Sequence, residues 1–193
     1  MRAVVIVEPE IPENTGFIAR LAENFEFELR IVNPEFNLEE AKRTASRAQR
    51  KLREAKIYDS PEEAVEDLEY VLGTKPGKGI SLGEFEPREN TSVMIGRESS
   101  GLENSELELC DAVAHIKTGD YESINQSHAV SIIMHNVFIG AEDEGIKSNQ
   151  KDFLDKFIQT PILKDIILRS NPSQDELNRL IGQIKENNDL EQL

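Results

Sequence analysis

An uninterrupted run of small and β-branched apolar residues follows Arg2 and extends to Val7. Such a run is typical of a parallel strand buried on both faces, because a strand with one wet face alternates apolar and polar side chains. A helical pattern follows from Pro12, and a second apolar run covers residues 27–32. The chain therefore opens with a β-α-β unit, which crosses over right-handed when both strands belong to one sheet.

Later segments continue the same alternation of strand and helix patterns. Apolar runs predict three more strands, at residues 69–73, 92–95 and 112–116. Helical patterns lie between them. The order of the elements predicts an α/β fold in which helices flank a parallel sheet.

Two segments are less regular. An alanine-rich basic stretch from residue 38 to about 58 predicts a long helix with an interruption near residues 44–46, where small polar side chains weaken helix preference. The segment 73–90 holds four glycines and two prolines and shows no helical period. This composition predicts a mobile surface loop.

A strong helical pattern runs from residue 125 to about 142. Its apolar residues cover a wide arc, which predicts burial on two sides: against the sheet and against a partner subunit, or against the helices that follow. Residues 1–145 are expected to form the main domain. Residues 150–193, whose apolar positions follow helical periods, are expected to form a short helical C-terminal extension.

Composition excludes several classes of protein. Cys110 is the only cysteine among 193 residues, so no intramolecular disulfide forms. No apolar run approaches the roughly 18 residues of a membrane span, so a cytoplasmic protein is expected. The three histidines and the cysteine lack the spacing of metal ligands, and the sequence has no Gly-x-x-x-x-Gly-Lys-Ser/Thr loop. A metal site and an ATPase are therefore not expected.

Three polar clusters stand where predicted strands end and helices begin: Asn14-Thr15-Gly16-x-x-x-Arg20, Gly96-Arg97-Glu98-x-x-Gly101-Leu102 and Ser123-Ile124-Asn125-Gln126-Ser127. Backbone N–H groups point outward at such places, and glycine lets a ligand approach closely. The clusters predict a pocket for a nucleotide-type cofactor. An unrelated dinucleotide enzyme is a weaker alternative, because Glu8-Pro9-Glu10 stands where its Gly-x-Gly-x-x-Gly loop would follow the first strand.

In this order and spacing, the clusters resemble the SPOUT class of RNA methyltransferases, and within it the ribose 2′-O-methylating SpoU/TrmH superfamily. The resemblance covers most of residues 2–142. It implies S-adenosyl-L-methionine as the cofactor, a C-terminal deep trefoil knot in the domain, and a homodimer formed through the 125–142 helix. It also implies an RNA substrate. A protein that kept the knot and RNA binding but lost catalysis is the alternative from a different class.

The same resemblance implies roles for individual residues. Arg20 matches the catalytic arginine, and its permanent charge suits it to orient the ribose 2′-OH and stabilise negative charge on the oxygen rather than to act as the base. The other residues that match the catalytic set are Asn14, Glu98, Asn125 and Ser127. The residues that match cofactor-binding positions are Leu72, Gly73, Thr74, Gly96, Ile116, Ser123, Ile124 and Asn125.

A basic segment is the predicted RNA surface, although the whole chain carries a net charge of −15. Residues 42–56 include seven basic residues and one acidic residue. The expected contacts to tRNA phosphates are Arg43, Arg47, Arg50, Lys51 and Arg53. A solvated helix face is the alternative explanation. With the helical extension, this segment resembles the TrmJ branch of the superfamily, which implies methylation of nucleotide 32 in the anticodon loop. Another tRNA or rRNA position is the alternative.

Overall fold

A computed structural model describes residues 1–121, 123–142, 148–158, 160–169 and 174–187. In these ranges seven strands form one parallel sheet: β1 (Ala3–Val7), β2 (Glu28–Val32), β3 (Lys56–Tyr58), β4 (Tyr70–Thr74), β5 (Ile80–Ser81), β6 (Thr91–Ile95) and β7 (Ala112–His115). The helices are α1 (Pro12–Asn24), α2 (Leu38–Ala45), α3 (Gln49–Arg53), α4 (Pro61–Val65), α5 (Asn104–Leu107), α6 (Gln126–Glu142), α7 (Ser148–Phe157), α8 (Pro161–Arg169) and α9 (Gln174–Asn187).

The interior strand β1 is fully buried, as its apolar run predicts. Its side chains alternate between the two faces of the sheet, since successive side chains of a strand point to opposite sides. Val4 and Ile6 pack in the core that contains residues of α1, α2 and α6, whereas Val5 and Val7 pack in a second core with residues of α4. Burying a branched apolar side chain contributes about 1.5–3 kcal/mol, so this strand anchors both layers of helices.

The strand order brings the predicted clusters to one edge of the sheet. The strands lie in the order β3-β2-β1-β6-β4-β7-β5, so β6 separates β1 from β4. Ile6 of β1 pairs with Ile95 of β6, and Gly73 of β4 pairs with Met94. The chain therefore leaves β1, β6 and β4 side by side, at the carboxyl edge where open α/β sheets bind ligands.

Five strands begin and end within one residue of the segments that the sequence predicts. The long helix predicted for residues 38–58 is wrong in its second half. Its predicted interruption is confirmed, because α2 ends at Ala45 and Ser46 has a φ of 51°, outside the helical region. However, α3 ends at Arg53, and Lys56–Tyr58 pairs with β2 as an edge strand. Three residues are too short a pattern to reveal a strand.

The prediction of a mobile surface loop over residues 73–90 is also wrong. Ile80–Ser81 forms β5 and pairs with β7. Leu82 and Phe85 are buried in the main core, and the Phe85 ring stacks on Tyr70 with centroids 6.4 Å apart. These two buried apolar side chains hold the glycine-rich segment against the core. The segment has no periodic pattern of apolar residues, so the sequence does not predict this contact.

Internal contacts divide the chain into two units, Met1–Glu142 and Asp143–Leu193. In the second unit α7 packs with α9, where Gln150 Nε2 donates a hydrogen bond to Asn178 Oδ1 at 3.1 Å. The boundary predicted between residues 145 and 150 overlaps residues 143–147, which lie outside the described residues. Across the described ranges, no helix combines the length and apolar character needed to span a membrane.

Candidate active site

The residues that follow β1 and β6 are joined by hydrogen bonds. The Glu98 carboxylate accepts one from the Asn14 side-chain amide (Nδ2–Oε1, 3.0 Å) and one from the backbone N–H of Glu10 (2.8 Å). Asn14 is buried in the first turn of α1. The first two polar clusters of the sequence therefore meet through one carboxylate.

The third cluster joins the same hydrogen-bond network. Asn125 Nδ2 donates to Asn14 Oδ1 at 3.2 Å, and Asn125 Oδ1 accepts from Ser127 Oγ at 2.7 Å and from the Ser127 backbone N–H at 3.0 Å. We call Glu98, Asn14, Asn125 and Ser127 the polar chain. An ionised carboxylate only accepts hydrogen bonds, so Glu98 sets the orientation of the Asn14 amide, which in turn sets that of Asn125. The bond from the Ser127 N–H also makes Asn125 the cap of α6.

A cavity of about 390 Å³ lies at this edge, with Glu98 of the polar chain in its wall. Five of the predicted cofactor-binding residues line the cavity: Thr74, Gly96, Ile116, Ser123 and Ile124. A volume of about 300–1,000 Å³ is typical of small-molecule sites. The loops after β4, β6 and β7 and the start of α6 thus enclose one space of the size of a ligand site.

Three predicted cofactor-binding residues stand outside this lining. Leu72 is fully buried in the core, and Asn125 belongs to the polar chain. At Gly73, a Cβ would lie 2.5 Å from Cys110 Sγ. Packing of β4 against this cysteine therefore explains the glycine without a ligand.

The Cys110 thiol is unsuited to chemistry. Burial raises its pKa to about 12, and the charges of Asp111 and Glu106 act in the same direction. The thiol therefore stays protonated at neutral pH and behaves as a small apolar side chain. Within the ranges that the structure describes, no group of three or more histidine, cysteine or acidic side chains is placed to hold a metal ion.

At Gly96, one backbone segment of the cavity wall packs closely against another. A Cβ at this residue would lie 2.1 Å from the carbonyl carbon of Gly101 and 2.3 Å from the nitrogen of Leu102. Gly101 has a φ of 68°, and its N–H donates to the Arg97 carbonyl at 2.9 Å. The loop 97–101 therefore turns back onto Gly96, which only glycine allows.

Arg97 belongs to the second cluster, but its structural role is not apparent from the sequence. Its Nε donates to Glu8 at 2.6 Å, and its two terminal nitrogens donate to the two oxygens of Glu106 at 3.1 Å each. Burial lowers the pKa of Arg97, but the hydrogen bonds with Glu106 and Glu8 raise it more, so the net shift is upward. Because the partners lie 89 and 9 residues away, no local pattern reveals them.

Removal of this cation should destabilise the domain. The Arg97 and Glu106 side chains are 14% and 7% exposed, so Arg97→Met leaves a carboxylate inside the protein without its partner. We expect the free energy of unfolding to fall by about 2 kcal/mol, below the full effect of a wholly buried pair. Urea denaturation measures it. Arg97→Met/Glu106→Gln should recover part of the loss, and a double variant as unstable as the single one would contradict this explanation.

Arg20 lies outside the polar chain and outside the cavity lining. It is six residues beyond Asn14 on α1, which places it about 9 Å along the axis and about 240° around the helix. The Arg20 side chain is exposed, and among the described residues it forms no hydrogen bond or ion pair. Its guanidinium is therefore available to a group that arrives from solvent.

Comparison with known proteins identifies the family of this chain. The family model for the SpoU rRNA methylase family matches residues 1–135. The chain belongs to the SpoU rRNA methylase family. The resemblance that the three clusters carry is thereby confirmed.

Three proteins similar to this SpoU-family chain are informative. The tRNA (cytidine-2′-O-)-methyltransferase TrmJ of Methanocaldococcus jannaschii is 34% identical over 155 residues, which cover 72% of this chain and 67% of the relative. A solved structure whose description concerns the 2-OH methylation of C/U34 on tRNA is 26% identical and superposes with a TM-score of 0.67. The match covers 74% of this chain and 97% of the chain in that structure. The SpoU methyltransferase AviRb of Streptomyces viridochromogenes, solved in complex with AdoMet, shares the fold at 23% identity and a TM-score of 0.63. That match covers 71% of this chain and 56% of the AviRb chain.

The predicted RNA-binding residues of this SpoU-family chain differ in how available they are. Arg43 is highly exposed, with Glu13 3.7 Å away, and Arg47 and Arg53 are exposed. Arg50 pairs with Glu23 at 3.1 Å. Lys51 is the least available, because its Nζ donates to the Phe27 carbonyl at 2.9 Å.

Proposed function

We propose that this SpoU-family protein transfers a methyl group from S-adenosyl-L-methionine to a ribose 2′-OH of tRNA. The observation that carries the proposal is the meeting of Asn14, Glu98 and Asn125 in one polar chain beside a cavity of ligand size. The TrmJ relative is named for tRNA 2′-O-methylation, and the AviRb structure holds AdoMet.

The side chains around the cavity fit this cofactor. Apolar walls can bury an adenine ring, hydroxyl groups and backbone amides can bind polar atoms, and a carboxylate favours the positive sulfonium. These groups are supplied by Ile95, Ile116, Ile124, Ala129 and Ile133, by Thr74 and Ser123, and by Glu98. When bound, the cofactor would supply the electrophilic methyl group. Leu72, Gly73 and Asn125 are proposed to contribute to the cofactor site by positioning Thr74 and Ile124, their neighbours in the cavity lining.

The chain's own residues position the acceptor. Glu98 holds Asn14, and Asn14 holds Asn125, so the polar chain presents fixed amide and hydroxyl groups of Asn125 and Ser127 to the ribose. Correct placement of a reacting group lowers a barrier by several kcal/mol, up to about 7–11 in well-oriented cases. Arg20 would bind the adjacent phosphate and stabilise negative charge on the 2′-oxygen, while the proton passes to phosphate or water.

A homodimer through the 125–142 helix is part of the proposal. Val130, Met134 and Val137 of α6 pack in the core, whereas Ile132 and Ile139 are 46% and 47% exposed. A second copy that covers these side chains would remove apolar surface from water. Sedimentation should give twice the mass of the chain, and the Ile132→Lys/Ile139→Lys variant should sediment as a monomer.

The proposal includes the trefoil knot of the family. At the start of α6, Asn125 reaches Asn14, which follows β1, and Gln126 reaches the Gly96 carbonyl, which follows β6. These contacts are compatible with a knot at the C-terminal side of the domain.

The basic segment 42–56 supplies the proposed tRNA surface. Reversing the charge of two exposed arginines in Arg47→Glu/Arg53→Glu should raise the tRNA dissociation constant by about 10-fold or more and lower its salt slope by about two, since each lost phosphate contact removes roughly one unit. Arg88→Glu, at an exposed arginine outside this segment, is the control and should bind tRNA normally. Filter binding at several salt concentrations measures both quantities, and an unchanged slope would remove the segment from the RNA surface.

Within tRNA, nucleotide 32 is the proposed target. The structure associated with C/U34 aligns over 97% of its own chain but over 74% of this one. About a quarter of this chain therefore has no counterpart in that protein. The alternative targets are position 34 and an rRNA site.

Cellular tRNA gives the test of substrate and position. Cells that lack this protein should lose one ribose methylation in the anticodon loop, at position 32, and expression of the chain in the cytoplasm should restore it. Loss of the ribose methylation at position 34 instead would make nucleotide 34 the target. Unaltered tRNA with an altered rRNA would contradict the tRNA assignment.

A further inference from the structure

Gln126 has an unusual place in the cavity wall. It is the first residue of α6, lines the cavity and is 7% exposed. Its Nε2 donates a hydrogen bond to the Gly96 carbonyl at 2.8 Å. One end of this amide is thus fixed to the loop that closes the cavity.

The other end of the amide is unsatisfied. Gln126 Oε1 is buried and has no hydrogen-bond partner among the described residues. Rotation of the amide would not help, because it would place Oε1 against the Gly96 carbonyl oxygen, where two acceptors repel. Burial of an unpaired acceptor costs about 1–3 kcal/mol, so native proteins rarely leave one without a reason.

We propose that Gln126 is a cofactor-binding residue whose Oε1 accepts a hydrogen bond from an N–H or O–H group of the nucleoside part of the cofactor. The inference rests on the proposed function, since it takes this cavity as the cofactor site. It assigns a role to a residue of the third cluster that the polar chain does not use.

Two features favour the nucleoside over the amino group of the methionine part. Ile95, Ala129 and Ile133 line the same cavity and provide apolar surface for a flat ring. Gln126 also stands at the N-terminus of a 17-residue helix, whose partial positive charge disfavours an ammonium donor. A neutral donor, such as an adenine amino group or a ribose hydroxyl, suits this place.

The test compares two ligands by calorimetry. S-adenosylhomocysteine and 5′-methylthioadenosine share the nucleoside, but only the first carries the amino acid. For Gln126→Met, which keeps the volume and loses the acceptor, the dissociation constants of both ligands should rise by about 10-fold. Unchanged constants would overturn the inference. A rise for S-adenosylhomocysteine alone would overturn the nucleoside assignment.

A matched control lies on the same helix. Met134 lies about two turns after Gln126 on α6, is fully buried in the core and does not line the cavity. Met134→Leu, which also keeps the volume, should leave both dissociation constants unchanged. An equal rise in this variant would show that loosening of α6, rather than the lost acceptor, weakens binding.

Two further observations keep the inference separate from folding and from the proposed function. In the wild-type protein, the side-chain amide signals of Gln126 should shift in NMR spectra when 5′-methylthioadenosine is added, and their invariance would overturn the inference without any variant. If the wild-type protein binds neither ligand, the proposed function falls together with the inference. If it binds both and methylates tRNA while Gln126→Met binds like wild type, only the inference is overturned.

Discussion

Arg20→Ala is expected to lower the rate of methyl transfer to tRNA by about 1000-fold, while the dissociation constant for S-adenosyl-L-methionine changes by less than about twofold. The first effect follows from the proposed contact of the guanidinium with the 2′-oxygen and its phosphate. The second follows from the position of Arg20, which is exposed on α1 and does not line the cavity. Single-turnover kinetics and calorimetry measure the two quantities.

Two further variants make this result specific. Arg20→Lys keeps the charge but loses the planar fork of donors, so an intermediate rate is expected. Arg53→Ala removes another exposed arginine and should reduce tRNA affinity without lowering the single-turnover rate at saturating tRNA. Equal loss of cofactor binding and turnover in Arg20→Ala would contradict the assigned role.

Gly96→Ala is expected to raise the dissociation constant of S-adenosylhomocysteine by about 100-fold and to lower the free energy of unfolding by about 3 kcal/mol. The added Cβ would lie 2.1 Å from the carbonyl carbon of Gly101, which is backbone and cannot rotate away. The loop 97–101 must therefore move, and Arg97 and Glu98 move with it. Both the cavity wall and the polar chain then change.

Gly119→Ala is the matched control, because a Cβ there meets no atom within 4 Å. It should bind S-adenosylhomocysteine and unfold like wild type. Calorimetry and urea denaturation report the two effects for each variant. Normal ligand binding by Gly96→Ala would show that loop 97–101 does not form the cofactor site.

The sequence predicts the parallel sheet well because buried strands such as β1 leave long apolar runs. It fails for β3 and β5, which have three and two residues. The sequence also does not reveal that Gly16 is needed for helix packing. A Cβ at Gly16 would lie 2.3 Å from the Ala41 carbonyl oxygen, so this glycine allows α1 to pack on α2.

For the site, the order of the clusters identifies Asn14, Glu98 and Asn125 through the family resemblance, and the structure brings them together. The network of Arg97 and the unpaired oxygen of Gln126 could not be predicted, because both depend on which atoms meet across the fold. Sequence spacing gives residue types at an edge, whereas hydrogen-bond satisfaction requires coordinates.

The central claim is that this cavity and its polar chain carry out methyl transfer to a ribose of tRNA. Incubation of the purified chain with S-adenosyl-L-methionine labelled in the methyl group and unmodified tRNA transcripts, followed by nuclease digestion and nucleoside chromatography, tests it directly. Label is expected in a single 2′-O-methylated nucleoside from the anticodon loop, and none is expected with Arg20→Ala. Label on a base, or none in any tRNA although the cofactor binds, would contradict it.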